Sequence, residues 1–207
     1  MTRPAATKPS ENPFRSACLD ELPYLPTEGW RVIERRLRDA RFRGAVVGPH
    51  GHGKTTLIEH LADQVSLAPA MPEGSTVEVV CYIRVDPSDR SQRHQIRRVI
   101  RHQPGLLVID GYDLLGWWDR LRVRMRRRPV LVTSHRETPL ATVARCRTSP
   151  ELLADLIERL SPPARAALGR AEITRLYEGH RGNLRDALRE LYDRVADGDL
   201  VTAASSA

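Results

Sequence analysis

The chain has 207 residues, of which 41% are hydrophobic and 29% are charged, values typical of a folded globular protein with a substantial core. No stretch nears the about 20 apolar residues of a membrane span and none resembles a secretory signal, so we expect a cytoplasmic protein without a membrane partner. The three cysteines are an odd number at wide spacing, which argues against a disulfide framework or a zinc site, whereas the net charge of +7 permits a polyanionic partner.

The N-terminal residues 1–11 show no apolar periodicity and are predicted to form a disordered tail. Ordered structure should begin at Asn12, because Phe14 is one of only two phenylalanines and lies in a polar stretch, where it must pack against something. Residues 30–39 then carry apolar side chains at helical spacing, which predicts a helix before the first strand.

Residues 46–56 read Val-Val-Gly-Pro-His-Gly-His-Gly-Lys-Thr-Thr and fit the phosphate-loop pattern G-x-x-x-x-G-K-[ST] at every fixed position. A buried strand is predicted before the loop, at 43–48, and an amphipathic helix after it, at 54–65, which is the setting that this motif requires. In such a loop, backbone N–H groups and the lysine bind phosphate, and the threonine hydroxyl binds Mg²⁺. The residues predicted to contact a nucleotide are Gly48, Pro49, His50, Gly51, His52, Gly53, Lys54, Thr55 and Thr56.

Lys54 is unusual for this composition. Of the 33 basic residues only Lys8 and Lys54 are lysine, so a basic residue placed here by chance would be arginine. A lysine indicates a position that needs a slim point charge. The alternative is a glycine-rich turn followed by a solvated lysine.

The second chemical element is an apolar run that ends in a carboxylate, at residues 106–110. It follows a strand predicted at 76–85 and a short helix that Ser91 caps and that ends at Pro104. Continuous apolar character is typical of a central parallel strand, which would deliver Asp110 to the sheet edge where the phosphate loop opens, within reach of Mg²⁺. The alternative is an aspartate that only starts the turn Asp-Gly-Tyr-Asp.

A helix is predicted at 112–128. Its buried stripe should consist of Leu114, Trp118, Leu121 and Met125. Roughly opposite lie Arg120, Arg124 and Arg127, and six of the nine residues from 120 to 128 are arginine. Such a helix suits the phosphates of a nucleic acid, and the alternative is an ordinary solvated face.

Two more strands are predicted, at 129–134 and at 141–148. The first places Ser134 at the same sheet edge, where a hydroxyl or imidazole can touch the γ-phosphate or position water. The alternative is that Ser134 starts a turn. From residue 149 the pattern is helical, with helices predicted at 150–160, 162–168 and 171–178.

The last helix is the most regular. Asn183 is its predicted N-cap, and its buried face should consist of Leu184, Leu188, Leu191 and Val195. Residues 198–207 are predicted to be a disordered tail.

These motifs together resemble the AAA+ and STAND ATPases, and in their particular residues they are similar to small bacterial AAA-type ATPases. The segments that carry the resemblance are Asn12-Pro-Phe, Gly48-Pro-His-Gly-His-Gly-Lys-Thr, Val108-Ile-Asp-Gly-Tyr-Asp, Thr133-Ser-His-Arg and Gly182-Asn-Leu-Arg. They span residues 12–197.

The resemblance implies a three-layer α/β P-loop NTPase fold with a parallel sheet in the strand order 5-1-4-3-2. The nucleotide domain would cover residues 12–148 and a helical lid would cover residues 149–197. The implied cofactors are ATP and Mg²⁺, with Thr55 and Asp110 at the metal.

Three further roles come from the resemblance. Arg185 would be the sensor 2 residue that bonds the γ-phosphate from the lid, the alternative being a surface ion pair with Asp186 or Glu190. Asn12 and Phe14 would lie over the nucleotide base, the alternative for Phe14 being core packing. Many ATPases of this class place Glu after the Asp110 position to polarise water, and here Asp113 is the nearest substitute, unless it only caps a helix.

We therefore expect a slow, Mg²⁺-dependent ATPase that acts as a nucleotide-driven switch. The residues expected to carry catalysis are Lys54, Asp110, Asp113, Ser134 and Arg185. A small-molecule phosphotransferase and a nonhydrolysing ATP-binding adaptor remain as alternatives. The expected partners are ATP and ADP, a nucleic acid bound through Arg120, Arg124 and Arg127, a protein client, and further copies of the chain in a homo-oligomer.

Overall fold

The computed structural model describes residues 8–22, 24, 26, 28–66, 80–86, 88–89, 92–103 and 105–200. Some sequence predictions lie outside the described residues, namely the tails before residue 8 and after residue 200, the strand start at 76–79, Ser91 and Pro104. No helix within the described ranges is long and apolar enough to cross a membrane.

The chain divides into two compact units. The sheet unit is formed by Tyr24–Pro49 and Gly53–Cys146. The helical unit is formed by Met1–Pro23, His50–His52 and Arg147–Ala207. The chain passes from the sheet unit to the helical unit between Cys146 and Arg147, whereas the sequence analysis places the boundary at residue 148 and assigns residues from Asn12 onward to the nucleotide domain.

Five parallel strands form the sheet unit's core. They are β1 (Arg43–Val47), β2 (Cys81–Arg84), β3 (Leu107–Asp110), β4 (Val130–Ser134) and β5 (Ala141–Arg145). Their spatial order is β2-β3-β4-β1-β5, which from the other edge is the 5-1-4-3-2 order that the resemblance implies. In register, Val47 at the end of β1 stands beside Ser134, and Arg84 at the end of β2 stands beside Asp110.

Strand residues alternate between two hydrophobic cores, because successive side chains point to opposite faces of a sheet. One core joins Val46, Val108 and Leu131 to the helices α2 (Trp30–Asp39) and α3 (Lys54–Ser66). The other core contains Ala45, Ile109 and Val132 on the opposite face. It packs against α4 (Gln92–His102) and α5 (Trp117–Met125). This is the predicted three-layer α/β arrangement.

The predicted helix at 112–128 is interrupted. A 3₁₀ turn covers Tyr112–Leu114, and the chain is then extended at Leu115 and Gly116 before α5 begins. The break changes the helical phase, so the predicted buried stripe is wrong: Leu114, Trp118 and Met125 are 47%, 62% and 73% exposed. The residues buried instead are Tyr112, Leu115, Asp119, Val123 and Arg126.

Arg126 is buried against the C-terminal end of α4, where its guanidinium satisfies backbone carbonyls. It donates hydrogen bonds to the backbone carbonyls of Ile100, Gln103 and Gly105, which lie at and beyond the last turn of α4. Carbonyls at a helix C-terminus have no partner inside the helix, so a buried arginine can satisfy them. Alternation of apolar and basic residues could not reveal this role.

The helical unit is built from α1 (Ser16–Asp20), α6 (Pro150–Leu160), α7 (Pro162–Ala167), α8 (Arg170–Gly179) and α9 (Leu184–Ala196). Its core contains the predicted apolar face of α9, since Leu184, Leu188, Leu191 and Val195 are all at most 8% exposed. The side chain of Asn183 accepts the backbone N–H groups of Arg185 and Asp186, which confirms the predicted N-cap.

Phe14 belongs to the helical core. It is 2% exposed and packs in the same cluster as Leu153 and Leu191, so the structure shows core packing rather than a segment over a nucleotide base. Asn12 is fully buried: its amide donates to the carbonyl of Tyr192, and its side-chain oxygen accepts the Phe14 N–H. The predicted nucleotide contacts of both residues are corrected accordingly.

The C-terminal tail begins later than predicted. Leu200 is 7% exposed and belongs to the helical core, so residues 198–200 are part of the packed structure. Leu200 lies beyond the helical pattern of α9 and gives no periodic signal of its own, so the sequence alone did not place it in the core.

Candidate functional site

The carboxyl ends of β1, β3 and β4 meet at one edge of the sheet, because the three strands are parallel neighbours. The phosphate loop leaves β1 at this edge, Asp110 is the last residue of β3, and Ser134 is the last residue of β4. In open parallel sheets this edge is where ligands bind. The sheet therefore brings together the groups that the sequence analysis selected within the sheet unit.

Glycines in the loop allow close backbone approaches that larger residues would block. A Cβ atom on Gly48 would lie 2.7 Å from the carbonyl oxygen of Cys146. Gly53 has a positive φ of 76°, and a Cβ atom there would lie 2.9 Å from the ring of Tyr24. Both glycines of the motif are thus required by the packing as well as by the phosphate-loop pattern.

Lys54 is the first residue of α3 and is 8% exposed. Its ammonium group donates a hydrogen bond of 2.7 Å to the backbone carbonyl of Pro49, five residues earlier in the loop. The lysine therefore folds back over its own loop rather than extending into solvent. The alternative of a solvated lysine is wrong.

Asp110 uses both carboxylate oxygens. The hydroxyl of Thr55 donates to Oδ2 at 3.0 Å, and the hydroxyl of Thr133 donates to Oδ1 at 2.6 Å. Thr133 also accepts the backbone N–H of Gly111 at 2.9 Å, so it fixes both the carboxylate and the turn that follows it. Asp110 and Thr55, predicted to share a metal ion, are in direct contact.

Two residues of β2 complete the surroundings of Asp110. The hydroxyl of Tyr82 and Nε of Arg84 lie 3.2 and 3.4 Å from Oδ2. Arg84 also lies 3.8 Å from Glu59 on α3. Burial, together with the negative charges of Asp110 and Glu59, raises the pKa of Tyr82, so its hydroxyl remains a proton donor at neutral pH.

The turn after Asp110 brings Asp113 to His135. Oδ2 of Asp113 lies 2.6 Å from Nδ1 of His135, and Oδ1 accepts the backbone N–H of the same residue at 3.3 Å. Asp113 makes no cap for α5, whose N-cap is Gly116. Of the two roles left open by the sequence, the cap is therefore excluded, and Asp113 forms a carboxylate–imidazole pair.

The pKa of Asp113 reflects two opposing effects. Burial alone would favour the protonated acid, but the hydrogen bonds from His135 and the backbone outweigh it and hold the pKa of Asp113 below its ordinary value. The carboxylate is therefore ionised at neutral pH and holds the imidazole in one orientation.

Ser134 is 2% exposed, and its hydroxyl accepts the backbone N–H of Arg136 at 3.2 Å. This hydrogen bond belongs to the turn after β4, the alternative role that the sequence left open. The neighbouring Thr133 and His135, on either side of Ser134, make the side-chain contacts to Asp110 and Asp113.

The helical unit also holds the predicted residues Gly51, His52 and Arg185. Within this unit, a Cβ atom on Gly51 would lie 1.6 Å from the side-chain oxygen of Asn183, so only glycine fits there. His52 lies 3.4 Å from the hydroxyl of Thr148. Arg185 is exposed, and its guanidinium has no hydrogen bond or ion pair among the residues that the structure describes.

The two carboxylates that were alternative partners of Arg185 bind other residues. Asp186 accepts a hydrogen bond from the Asn183 amide, and Glu190 contacts His180 and Arg194. The alternative that Arg185 pairs with Asp186 or Glu190 is therefore not what the structure shows.

Tyr24, Tyr82, Arg84 and Thr133 were not selected from the sequence. Tyr24 lies in an irregular segment without periodicity, and its hydroxyl donates to the buried thiol of Cys146 at 3.5 Å. Thr133 lies one residue before the predicted Ser134, and strand alternation could have distinguished the two. Tyr82 and Arg84 share a face of β2 at spacing two, the signal that could have found them.

The donor set suits a hard divalent cation, since Thr55 and Asp110 offer a hydroxyl and a carboxylate oxygen. Among the described residues there is no cluster of three or more His, Cys, Asp or Glu side chains that could hold a metal alone. Mg²⁺ characteristically needs few protein ligands because phosphate oxygens and water complete its shell. The residues present therefore fit a Mg²⁺ ion that enters together with a nucleotide.

Comparisons with known proteins support the fold. No model of a protein family matches this sequence, and no curated protein matches it. A solved structure of a point mutant of RuvB from Thermotoga maritima is similar, with a TM-score of 0.51 and 16% identity. The match covers 82% of this chain but only 62% of the RuvB chain. At this identity the similarity shows the fold alone, an α/β fold with a five-stranded parallel sheet.

Proposed function

We propose that this protein binds ATP with Mg²⁺ and hydrolyses it slowly, as a nucleotide-driven switch of the AAA+ or STAND type. The observation that carries the proposal is the 3.0 Å hydrogen bond between Thr55 and Asp110, beside the buried ammonium of Lys54. These are the three groups that P-loop NTPases use for phosphate and metal, and here they come from two separate segments of sequence.

In this proposal, the loop backbone and Lys54 bind the phosphates, and Thr55 and Asp110 hold the metal. Bound Mg²⁺ would neutralise charge on the β- and γ-phosphates. Lys54 would exchange its hydrogen bond to Pro49 for phosphate oxygens. Thr133 would keep Asp110 oriented through its hydrogen bond to Oδ1.

Water activation is the step for which this site differs from the usual pattern. Gly111 replaces the expected glutamate, and the nearest acid–base group is the pair of Asp113 and His135. An ionised Asp113 fixes the imidazole, which then accepts a proton from water or orients it. Hydrolysis should be slow, below the median of about 10 s⁻¹ for enzymes generally, because the base is indirect.

The helical unit would act as the lid. Arg185 carries a guanidinium without a hydrogen bond or ion pair among the described residues, and in this proposal it binds the γ-phosphate. ATP would then favour a closed arrangement that ADP does not support, since only a contact that differs between two ligands can shift an equilibrium.

Two substitutions test the nucleotide site. Lys54→Ala should abolish ATP binding measured with a fluorescent ATP analogue, whereas Asp110→Asn should retain much of the affinity and lose Mg²⁺-dependent phosphate release. Asp39→Asn, which changes an exposed carboxylate on α2, is the matched control and should behave like the parent. Thermal melts should show that all three variants fold.

Parent-like binding by Lys54→Ala, or parent-like turnover by Asp110→Asn, would refute the proposal. The same phosphate-release assay separates the alternatives. Release that needs an added acceptor indicates a phosphotransferase, and tight binding without release indicates an adaptor.

A further inference from the structure

Two tryptophans on α5 are exposed side by side. Trp117 and Trp118 are 65% and 62% exposed, and their rings contact each other edge to face with centroids 4.3 Å apart. Large aromatic side chains exposed together commonly mark a binding surface, because burying them releases water. Neither residue is used by the proposed nucleotide site.

An arginine-lined cavity lies further along the same helix. It has a volume of about 390 Å³ and lies where α5 and the residues after it meet α4. Five arginines line it, Arg101, Arg122, Arg126, Arg127 and Arg128, and no Asp or Glu among the described residues does. Such a lining attracts anions, and guanidinium groups match phosphate geometry.

The tryptophans and the cavity are continuous along α5. Met125, 73% exposed, lines the cavity and lies seven residues after Trp118, which places both on the same side of the helix about 10 Å apart. Arg122, another lining residue, lies one turn after Trp118. We call the surface formed by Trp117, Trp118, Met125, Arg101 and Arg127 the Trp–Arg face.

Positive charge is concentrated in the two chain segments that contribute residues to this face. Residues 92–102 contain four arginines and residues 117–128 contain six, whereas Asp119 is the only carboxylate in either segment. Ten arginines less one aspartate give +9, more than the +7 of the whole chain, so the remainder of the chain is slightly acidic. A general preference for arginine over lysine does not explain this distribution.

Several arginines of these segments already have partners. Arg97 and Arg122 contact Asp119, and Arg120 donates to the carbonyls of Leu115 and Asp113. Arg120 therefore belongs to the local fold and is not included in the Trp–Arg face, and its contact with a nucleic acid stays a prediction.

Arg101, Arg124 and Arg127 have no hydrogen bond or ion pair from their guanidinium groups among the described residues. Arg101 and Arg127 line the cavity, so they can bind phosphates without first breaking an internal contact.

We infer that the Trp–Arg face binds single-stranded nucleic acid. Bases would stack on Trp117 and Trp118, and Arg101 and Arg127 would bind backbone phosphates in the adjoining cavity. Exposed aromatic rings beside a cationic groove are the arrangement by which proteins bind single strands without sequence preference. Duplex bases are already stacked and would leave the tryptophans unused.

The test uses the full chain and a fluorescein-labelled oligothymidylate of about 16 nucleotides, followed by fluorescence anisotropy without ATP. Replacing both tryptophans by alanine should weaken binding roughly tenfold or more, whereas replacing both by phenylalanine should preserve most of the affinity. Arg101→Ala with Arg127→Ala should flatten the slope of log K against log salt by about 0.7 per lost phosphate contact. Arg31→Ala with Arg35→Ala, on the exposed side of α2, is the matched control and should leave the slope unchanged.

Three results would overturn the inference: no binding at low salt, an alanine pair that binds like the parent, or equal binding of a duplex of the same length. A fourth result is that the alanine pair reduces self-association in sedimentation experiments and leaves oligonucleotide binding unchanged. In that case the Trp–Arg face is an interface between copies of this chain. Because ATP is absent, none of these outcomes depends on the proposed ATPase activity.

Discussion

Asp110, the last residue of β3, contacts side chains from three neighbouring elements. Its carboxylate accepts hydrogen bonds from Thr55 on α3 and Thr133 on β4, and it lies within reach of Tyr82 and Arg84 on β2. Three neighbouring elements thus converge on one residue at the edge of the sheet. Because both carboxylate oxygens of Asp110 accept hydrogen bonds, its orientation should be well defined.

The pair of Asp113 and His135 gives the first prediction at this scale. Asp113→Asn replaces an ionised acceptor by an amide, which no longer fixes the orientation and tautomer of the imidazole. We expect the rate of phosphate release to fall roughly 100-fold, the usual size of an acid–base contribution, while the affinity for ATP changes little. Stopped-flow binding and steady-state phosphate release measure the two quantities separately.

Because Asp113 would act through His135, a purely structural effect must be ruled out. Asp113→Glu keeps the charge and should restore part of the rate if the carboxylate orients the imidazole. Equal rates for parent and Asp113→Asn would remove the pair from the mechanism, and a lower melting temperature with parallel losses of binding and rate would indicate a structural role.

At the scale of elements, the 3₁₀ turn after β3 explains why no glutamate follows Asp110. Gly111 has φ of 95° and ψ of 45°, a backbone conformation that other residues adopt only at a cost. A Cβ atom there would lie 3.1 Å from the side chain of Leu114. The same turn places Asp113 beside His135. In place of a glutamate directly after Asp110, the site therefore has a carboxylate that acts through an imidazole.

Gly111→Glu, which restores the usual residue type, should therefore not restore a fast rate. We expect the free energy of unfolding to fall by about 1–3 kcal/mol, the typical cost of a strained backbone position, with no gain in phosphate release. Denaturant melts and the release assay measure both. Gly169→Glu is the control, because Gly169 has φ of −69° and nothing within 4 Å of its Cβ position. A faster Gly111→Glu enzyme at unchanged stability would contradict this account.

The elements themselves were largely predictable, and the exceptions have physical causes. Residues 30–39 and the face of α9 follow helical periodicity closely, because one side of each helix is buried and the other is solvated. In the segment from 112 to 128 the same periodicity predicted the wrong buried face. The helix starts again after Gly116 in a new phase, and Arg126 is buried because it donates hydrogen bonds to backbone carbonyls.

The site was predictable where chemistry is local in sequence, as in the loop around Lys54. It was not predictable where partners come from different strands, as for Thr133 and Tyr82. Periodicity shows which side of a strand is buried, but it does not show which polar side chain on a neighbouring strand will reach a given carboxylate.

At the scale of the whole molecule, sequence order and structural units differ. Residues 8–22 precede the sheet unit in the chain, yet Phe14 and Asn12 are buried in the helical unit, against α6–α9. The short segment His50–His52 belongs to the same unit, within which Gly51 lies against Asn183. The helical unit therefore contains residues from three separate parts of the chain, so its stability and the conformation of the loop tip should be coupled.

The proposed switch depends on Arg185, whose guanidinium has no hydrogen bond or ion pair within the described part of the chain. A charge-assisted hydrogen bond to the γ-phosphate would contribute about 1.5–3 kcal/mol to ATP binding and nothing to ADP binding. Arg185→Ala should therefore lower the preference for ATP over ADP about tenfold or more, with the affinity for ADP nearly unchanged. Isothermal titration of both nucleotides against both proteins measures this ratio.

The matched control for this experiment is Arg189→Ala. Arg189 is also exposed on α9, one turn after Arg185, and its replacement by alanine removes the same charge from the same helix. If Arg185 acts through a specific bond, only Arg185→Ala changes the ratio of the two affinities. If it acts only through the general positive charge of the helix, both variants lose ATP affinity to a similar and small extent, and that loss shrinks further at high salt. Equal losses for ATP and ADP with Arg185→Ala would exclude a γ-phosphate contact and leave the proposed switch without its sensor.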